Sequence, residues 1–213
     1  MKWTDNSTAL HLEDQPGFEL FYHEYDAAIR KVNTKIEILA SDFAVRHDYS
    51  PIHHIEKRLK TPQSIEGKLN RLGLEVSIQT ARENIFDISG IRVICNFIED
   101  VYQVAEMITS QDDVILVSTK DYINSPKENG YRSLHVAIKI PVFLMDKRVE
   151  VPVEIQIRTV AMDFWASLEH QLRYKQNNEG RISEKTNMEL KACAEVSAKL
   201  DARMQKIFDE VKK

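Results

Sequence analysis

Two stretches of strict period-two alternation constrain the fold of this chain more than any other feature. In "SLHVAIKI", Leu134, Val136, Ile138 and Ile140 alternate with Ser133, His135, Ala137 and Lys139. In "VEVPVEIQIRT", Val149, Val151, Val153, Ile155 and Ile157 alternate with Glu150, Pro152, Glu154, Gln156 and Arg158. Such a pattern describes a strand with one face on a core and the other elsewhere. A third segment, "GIRVICNF", sets Ile91, Val93, Cys95 and Phe97 against Arg92, Ile94 and Asn96, and "VILVS" reads as a short apolar strand. If the three alternating strands share a sheet, Arg92, His135, Glu154, Gln156 and Arg158 project from one face, with Asp87 just before the first strand.

Helical periods surround these strands. Phe18, Tyr22, Tyr25, Ile29, Val32, Ile36, Leu39 and Phe43 recur in steps of four and three, which predicts one long amphipathic helix over residues 16–48. Pro51 is expected to open a shorter helix and Pro62 a third; "EDVYQVAEMI" returns to a helical period between strands. "AMDFWASLEHQLRYK" predicts a helix packing Phe164, Trp165, Leu168 and Leu172. After a polar break at Gln176 to Gly180, a last helix over residues 183–213 runs through Cys193, Val196, Leu200, Met204, Ile207 and Val211. The fold class expected is α+β: a mixed sheet with covering helices over residues 51–175, flanked by long helices in a single domain spanning 1–213. Striped helices at both ends leave apolar surface that one copy does not bury, so self-association is expected, with a homotetramer as the assembly.

Charge and cysteines narrow the function classes. The net charge of −4 does not favour duplex nucleic acid, so phosphate must be met by a local basic cluster. "EKRLKTPQSIEGKLNR" supplies one, with five basic residues against two acidic ones. No basic region followed by an apolar one opens the chain, which predicts a cytoplasmic protein with no membrane partner. Cys95 and Cys193 lack metal-ligand spacing and pattern as buried core thiols. His53 and His54 are expected on a helix, where adjacent side chains diverge and make a poor metal site.

The densest chemistry lies in "PKENGYRSLH". An Asn129-Gly130 turn accounts for two of these residues, because both tolerate positive φ, but not for Lys127, Tyr131, Arg132 and His135. Asp87 and Glu154, an acid before one strand and an acid within another, form an arrangement able to hold Mg²⁺, which keeps waters and phosphate oxygens as its other ligands. A solvated sheet face, with Tyr131 as an aromatic staple for the turn, is the alternative that these residues by themselves leave open.

"DISGIRVICNF", "KDYINSPKENGYRSLH", "VEIQIRT" and "AMDFWASLEHQLRYK", preceded by "RLKTPQSIEGKL", together resemble the synthetase domain of the Rel/Spo homologues. The short length with flanking helices is similar to the small alarmone synthetases. The resemblance implies a nucleotidyltransferase-like core and transfer of pyrophosphate from ATP to the ribose 3′ hydroxyl of GDP or GTP, giving ppGpp or pppGpp and AMP. It implies that Asp87 and Glu154 coordinate Mg²⁺ and that Glu154 accepts the hydroxyl proton. It further implies that Arg58 and Arg92 sandwich the adenine, that Lys60, Ser64 and Lys68 hold the phosphates of ATP, and that Lys127 holds those of the acceptor. Tyr131 would then stack on guanine, Arg132 and His135 would donate to the acceptor's phosphates, and Gln156 and Arg158 would organise the site beside Glu154. Longer relatives carry a hydrolase domain ahead of the synthetase. Here one long helix occupies that position and nothing after Lys213 forms a regulatory domain, so synthesis without degradation is expected. Ser118-Thr119-Lys120-Asp121 has a serine where the long enzymes place a charge, which leaves the choice between GDP and GTP open. A non-catalytic nucleotide or single-stranded RNA sensor and a nucleotidyltransferase releasing pyrophosphate are the competing classes.

Overall fold

A computed structural model describes residues 11–176 and 183–212; the predicted polar break falls largely outside them. Its centre is a five-stranded mixed sheet in the order β1-β2-β5-β4-β3. The strands are β1 (Ile52–Leu59), β2 (Ser89–Cys95), β3 (Ile115–Asp121), β4 (Leu134–Phe143) and β5 (Arg148–Thr159). β2 and β5 run parallel; the pairs β1-β2, β4-β5 and β3-β4 are antiparallel. Both strict alternations are therefore strands beside each other, paired from Leu134↔Ile157 to Phe143↔Arg148.

One face of the sheet is dry. Val93, Val136, Ile138, Val153, Ile155 and Ile157 are buried on it. It is covered by α1 (Phe18–His47) and α4 (Ile98–Thr109). α1 buries Phe21, Tyr25, Ala28, Ile29, Val32 and Ile36, each large apolar side chain contributing about 1.5 to 3 kcal/mol relative to exposure. Phe21, absent from the predicted stripe, is fully buried, and Tyr22 is only half-buried. The amino-terminal helix is thus itself a covering layer and not a free flank, although Leu20, Ile38 and Val45 on its outer side stay exposed.

The segment after Pro51 is a correction. It forms the edge strand β1, paired from Ile52↔Cys95 to Leu59↔Ser89, where a helix was expected. An edge strand faces water along much of its length, so only Ile52, Ile55 and Leu59 of its eight residues are apolar and the period-two signal is weak. Thr61 and Pro62 then start α2 (Pro62–Arg71), with the Thr61 hydroxyl accepting from the Ser64 amide at 3.3 Å and proline at the first helical position. A further short helix, α3 (Ile78–Asn84), capped by Ser77, was not anticipated.

α5 (Val160–Gln176) and α6 (Glu184–Val211) pack on each other at one end of the sheet. Their contact is made by Trp165, Ala166 and Ala194, with Tyr131 and Leu190 against them. Phe164, Leu168 and Leu172, predicted to pack, are exposed, and only Trp165 of that set is buried. Cys193 is exposed as well, contrary to its reading as a core thiol, while Cys95 is buried. The helix presents Ala194 and Asp201 inward, which turns the stripe of Cys193, Val196, Leu200 and Met204 outward.

Candidate active site

Strand order and register place the polar residues of five strands on the second face. Across it, Arg58 lies opposite Gly90, Glu56 opposite Arg92, Gly90 beside Glu154, Arg92 beside Gln156, Ala137 beside Glu154, and His135 between Gln156 and Lys120. A Cβ at Gly90 would stand 3.4 Å from the Arg58 carbonyl oxygen, an ordinary van der Waals contact, so the two strands run close but without strain there. Asp87 sits just before β2, where the Lys60 amide bonds the Ile88 carbonyl at 2.9 Å and extends the β1-β2 ladder.

Two cavities open on this face. One, of about 340 Å³, is lined by Glu56, Arg58, Lys60, Asp87, Arg92, Glu154 and Gln156, among others. The second, of about 290 Å³, is lined by Lys68, Asn84, Phe86, Asp87, Ser118, Lys120, His135 and Glu154, among others. Asp87 and Glu154 belong to both, so the two carboxylates stand where the cavities meet. Of the predicted residues, Ser64, Lys127, Tyr131, Arg132 and Arg158 line neither. Ser64 is in the first turn of α2. The Lys127 ammonium lies 4.7 Å from the ring centres of both Tyr122 and Tyr131. Arg132 donates to the Ile123 carbonyl at 2.6 Å.

The carboxylates are held differently. Asp87 accepts from Lys60 at 2.9 Å and from Lys68 at 2.8 Å, one ammonium on each oxygen. Burial pushes its carboxyl up, but the two lysines outweigh burial and hold it below the usual range. Glu154 is held below its ordinary value chiefly by His135, whose Nδ1 is 3.5 Å from Oε1; burial opposes this, Gln156 donating at 2.9 Å supports it, and the charge of Asp87 works against it.

Glu154 ends a closed network. Arg158 donates to Gln156 Oε1 at 2.8 Å, and Gln156 donates in turn to Glu154. Arg158 also donates to the Tyr131 hydroxyl at 2.8 Å, which meets His135 Nε2 at 2.8 Å. A guanidinium only donates and a carboxylate only accepts, so Arg158 and Glu154 are the two ends of both arms, and His135 presents an Nδ1–H to Glu154.

Glu56 and Asp163 were missed by the sequence reading. Arg92 lies 2.8 Å from Glu56 and 3.6 Å from Asp163. Glu56 was hidden by the helical reading of β1, although its two-residue spacing from Arg58 was a signal. Phe86, exposed beside Asp87, could have been found as an unpaired aromatic next to a candidate ligand. The two histidines of β1 come together because a bulge between Ile52 and His54 breaks the alternation: their Nδ1 atoms are 2.8 Å apart. His54, Glu56 and Asp163 bring ligand atoms within 4.8 Å of one another, but the Arg92 guanidinium already lies against both carboxylates.

Comparison with known proteins gives this face a lineage. Residues 57–179 match the family model described as the region found in RelA / SpoT proteins. The chain is 44% identical over 187 residues to GTP pyrophosphokinase YwaC of Bacillus subtilis, covering 88% of both, and 36% identical over 199 residues to GTP pyrophosphokinase YjbM of the same organism, covering 93% of this chain and 92% of that one. Its fold is similar to the crystal structure of small alarmone synthetase 1 from Bacillus subtilis bound to its product pppGpp, with a TM-score of 0.84 and 34% identity over 93% of this chain and 100% of that one. A family match across more than half of the residues, joined to relatives this similar over nearly the whole length, has one consequence: the chain belongs to the RelA/SpoT family.

Proposed function

We propose that this protein is a GTP pyrophosphokinase that transfers the β,γ-pyrophosphate of ATP to the 3′ hydroxyl of GDP or GTP, making the alarmone ppGpp or pppGpp and AMP. The observation that carries this reading is a pair of carboxylates, Asp87 and Glu154, at the junction of two cavities that both contain basic side chains. Two substrates bound one in each cavity would meet at that junction. The cavity with Arg58, Lys60 and Arg92 suits ATP, because guanidinium planes stack on a base while ammonium groups meet phosphates. The cavity with Lys120 and His135 suits the guanosine acceptor, with Tyr131, Arg132 and Lys127 on the neighbouring turn; Lys68, expected on the ATP phosphates, lines this cavity and reaches the junction through Asp87, and Ser64 stands at the start of α2.

The reaction joins the acceptor's 3′ oxygen to the β phosphorus of ATP and breaks the bond from that phosphorus to the oxygen bridging the α and β phosphates. AMP leaves with that oxygen, and the 3′ proton passes to Glu154. A carboxylate kept ionised by His135 and Gln156 is available as the base, and positioning contributes most of the rest. Two half-exposed carboxylates with free lone pairs fit Mg²⁺, which Asp87 and Glu154 would hold and which, when bound, neutralises charge on the transferring phosphates. Lys60 and Lys68 serve as counter-charges to Asp87. Further parts of the proposal are a monofunctional synthetase in a single domain, a homotetramer and a cytoplasmic location. No described helix is long and apolar enough to cross a membrane.

Locating label from ATP tests the reading. With ATP labelled at the β phosphate, Mg²⁺ and GDP, pyrophosphate transfer puts the label in a guanosine product. Release of labelled pyrophosphate would mean nucleotidyl transfer instead, and binding without any transfer would mean a sensor.

A further inference from the structure

Asp163, near the start of α5, has no part in the expected site, yet its carboxylate lies against two of the site's arginines, Arg158 and Arg92. Oδ1 accepts from Arg158 at 3.1 Å and lies 3.6 Å from Arg92. His54 and Glu56, on β1, are its other ionisable neighbours. The Arg158 side chain is only 5% exposed and Asp163 17%, so the ion pair lies largely out of water, where removing one partner strands the other. From Arg158 both hydrogen-bonded arms run to Glu154, one through Gln156 and one through Tyr131 and His135.

We infer that Asp163 is a positioning residue: it fixes the guanidinium of Arg158, which orients Glu154 through Gln156 and the acceptor-side pair Tyr131 and His135 at once. This rests on the synthetase reading above and deepens it. The physical reason is geometric. Arg158 has a rigid fork of donors, so one carboxylate on Nη1 determines where Nη2 points, and Nη2 is the atom that serves both arms. Arg92 is less dependent on Asp163, because Glu56 holds it at 2.8 Å. Loss of Asp163 should therefore be felt at Glu154 and on the acceptor side far more than on the donor side. α5 thereby becomes part of the site without lining either cavity.

Asp163→Asn in the full chain, checked by melting temperature, gives the test. Turnover should fall by about 5- to 30-fold, the size of coupling within a shared network, with KM for ATP within about 2-fold of wild type. Combined with Tyr131→Phe, the loss should be no greater than that of the worse single variant, since both break the arm that leaves Arg158 Nη2. Wild-type turnover in Asp163→Asn, or losses that multiply in the double variant, would overturn the inference. A second readout does not need activity: the ring ¹⁵N resonances of His135 should shift in Asp163→Asn, although Asp163 does not touch that ring, and unchanged resonances would also refute it. Should Asp163→Asn fail to fold, Arg158→Lys keeps the charge but not the fork and carries the same expected signature. If the wild-type protein made no guanosine product, the synthetase reading would fall while the resonance measurement still judged Asp163.

Discussion

Asp87 shows how little freedom a single residue has at this site. Each of its oxygens meets a lysine ammonium, and together these outweigh the burial that would otherwise favour the protonated form. A carboxyl whose folded pKa is depressed takes up its proton more readily when unfolded. Its stabilisation is therefore present above the unfolded value of about 4 and lost as pH falls through the lower folded value. The melting temperature of the wild type should drop on acidification below about pH 4 more steeply than that of Asp87→Asn; parallel curves would show that the lysines contribute no net stability through Asp87. Glu154→Gln should keep the fold and lose turnover by about 10²- to 10⁴-fold, the usual range for a positioned base, as measured by product formation under saturating nucleotides. Tyr131 is held through its hydroxyl as well as through its ring. The hydroxyl has two partners, Arg158 and His135, so Tyr131→Phe should preserve acceptor affinity but lower turnover. Tyr131→Ala should weaken acceptor binding by about 5- to 150-fold if the ring stacks on the base. Affinities for GDP and for an ATP analogue, measured separately, check both.

At the scale of elements, the turn before β4 is held in the angle between α5 and α6. Its Lys127–Gly130 hydrogen bond is 2.8 Å, Asn129 donates to Glu169 on α5 at 3.1 Å, and Gly130 faces Ala194 on α6. Only Gly130 of the Asn-Gly pair uses positive φ, at 91°. A Cβ on it would stand 2.6 Å from the Ala194 Cβ, closer than two carbons can approach. Gly130→Ala should therefore cost more than the roughly 1 kcal/mol typical of a compatible site, because backbone strain and the clash add. It should raise KM for the acceptor while leaving KM for ATP near wild type. Ala194→Gly in the same chain should recover the steric part and not the backbone part; kinetics and melting temperatures of the two variants separate these contributions. α6 is further tied to the sheet by the Thr159 hydroxyl, which donates to Asp201 at 2.5 Å, so deleting the helix would damage the core contact as well as the surface.

For the whole molecule the question is the outer side of α5 and α6. Phe164, Val196, Leu200 and Met204 line an open apolar groove of about 810 Å³, with Val196 65% and Leu200 55% exposed. This surface is what a second copy would cover under the proposed self-association. Val196→Glu with Leu200→Glu should convert the assembly to a species near the chain mass of 24.7 kDa by sedimentation at micromolar concentration, without lowering the melting temperature of the isolated fold. A wild-type chain that already sedimented at that mass would remove the premise.

Period two in β2, β4 and β5 determined that a half-buried sheet exists and which residues share its polar face, because a strand's alternation is local and needs no knowledge of its neighbours. The amphipathic stripe determined α1 almost to the residue, and the Thr61-Pro62 pair determined the start of α2. Tertiary structure alone decided two other things. β1 is a strand only because β2 offers it a ladder, since its own apolar signal is too sparse to choose between strand and helix. Which face of α6 turns inward depended on Ala194 fitting over Gly130 and Asp201 reaching Thr159, so Cys193 fell outside although its spacing patterned with buried positions. The role of Asp163 needed both: a carboxylate on a helix surface is unremarkable in sequence, and it acquires meaning when packing brings it to an arginine that water does not reach.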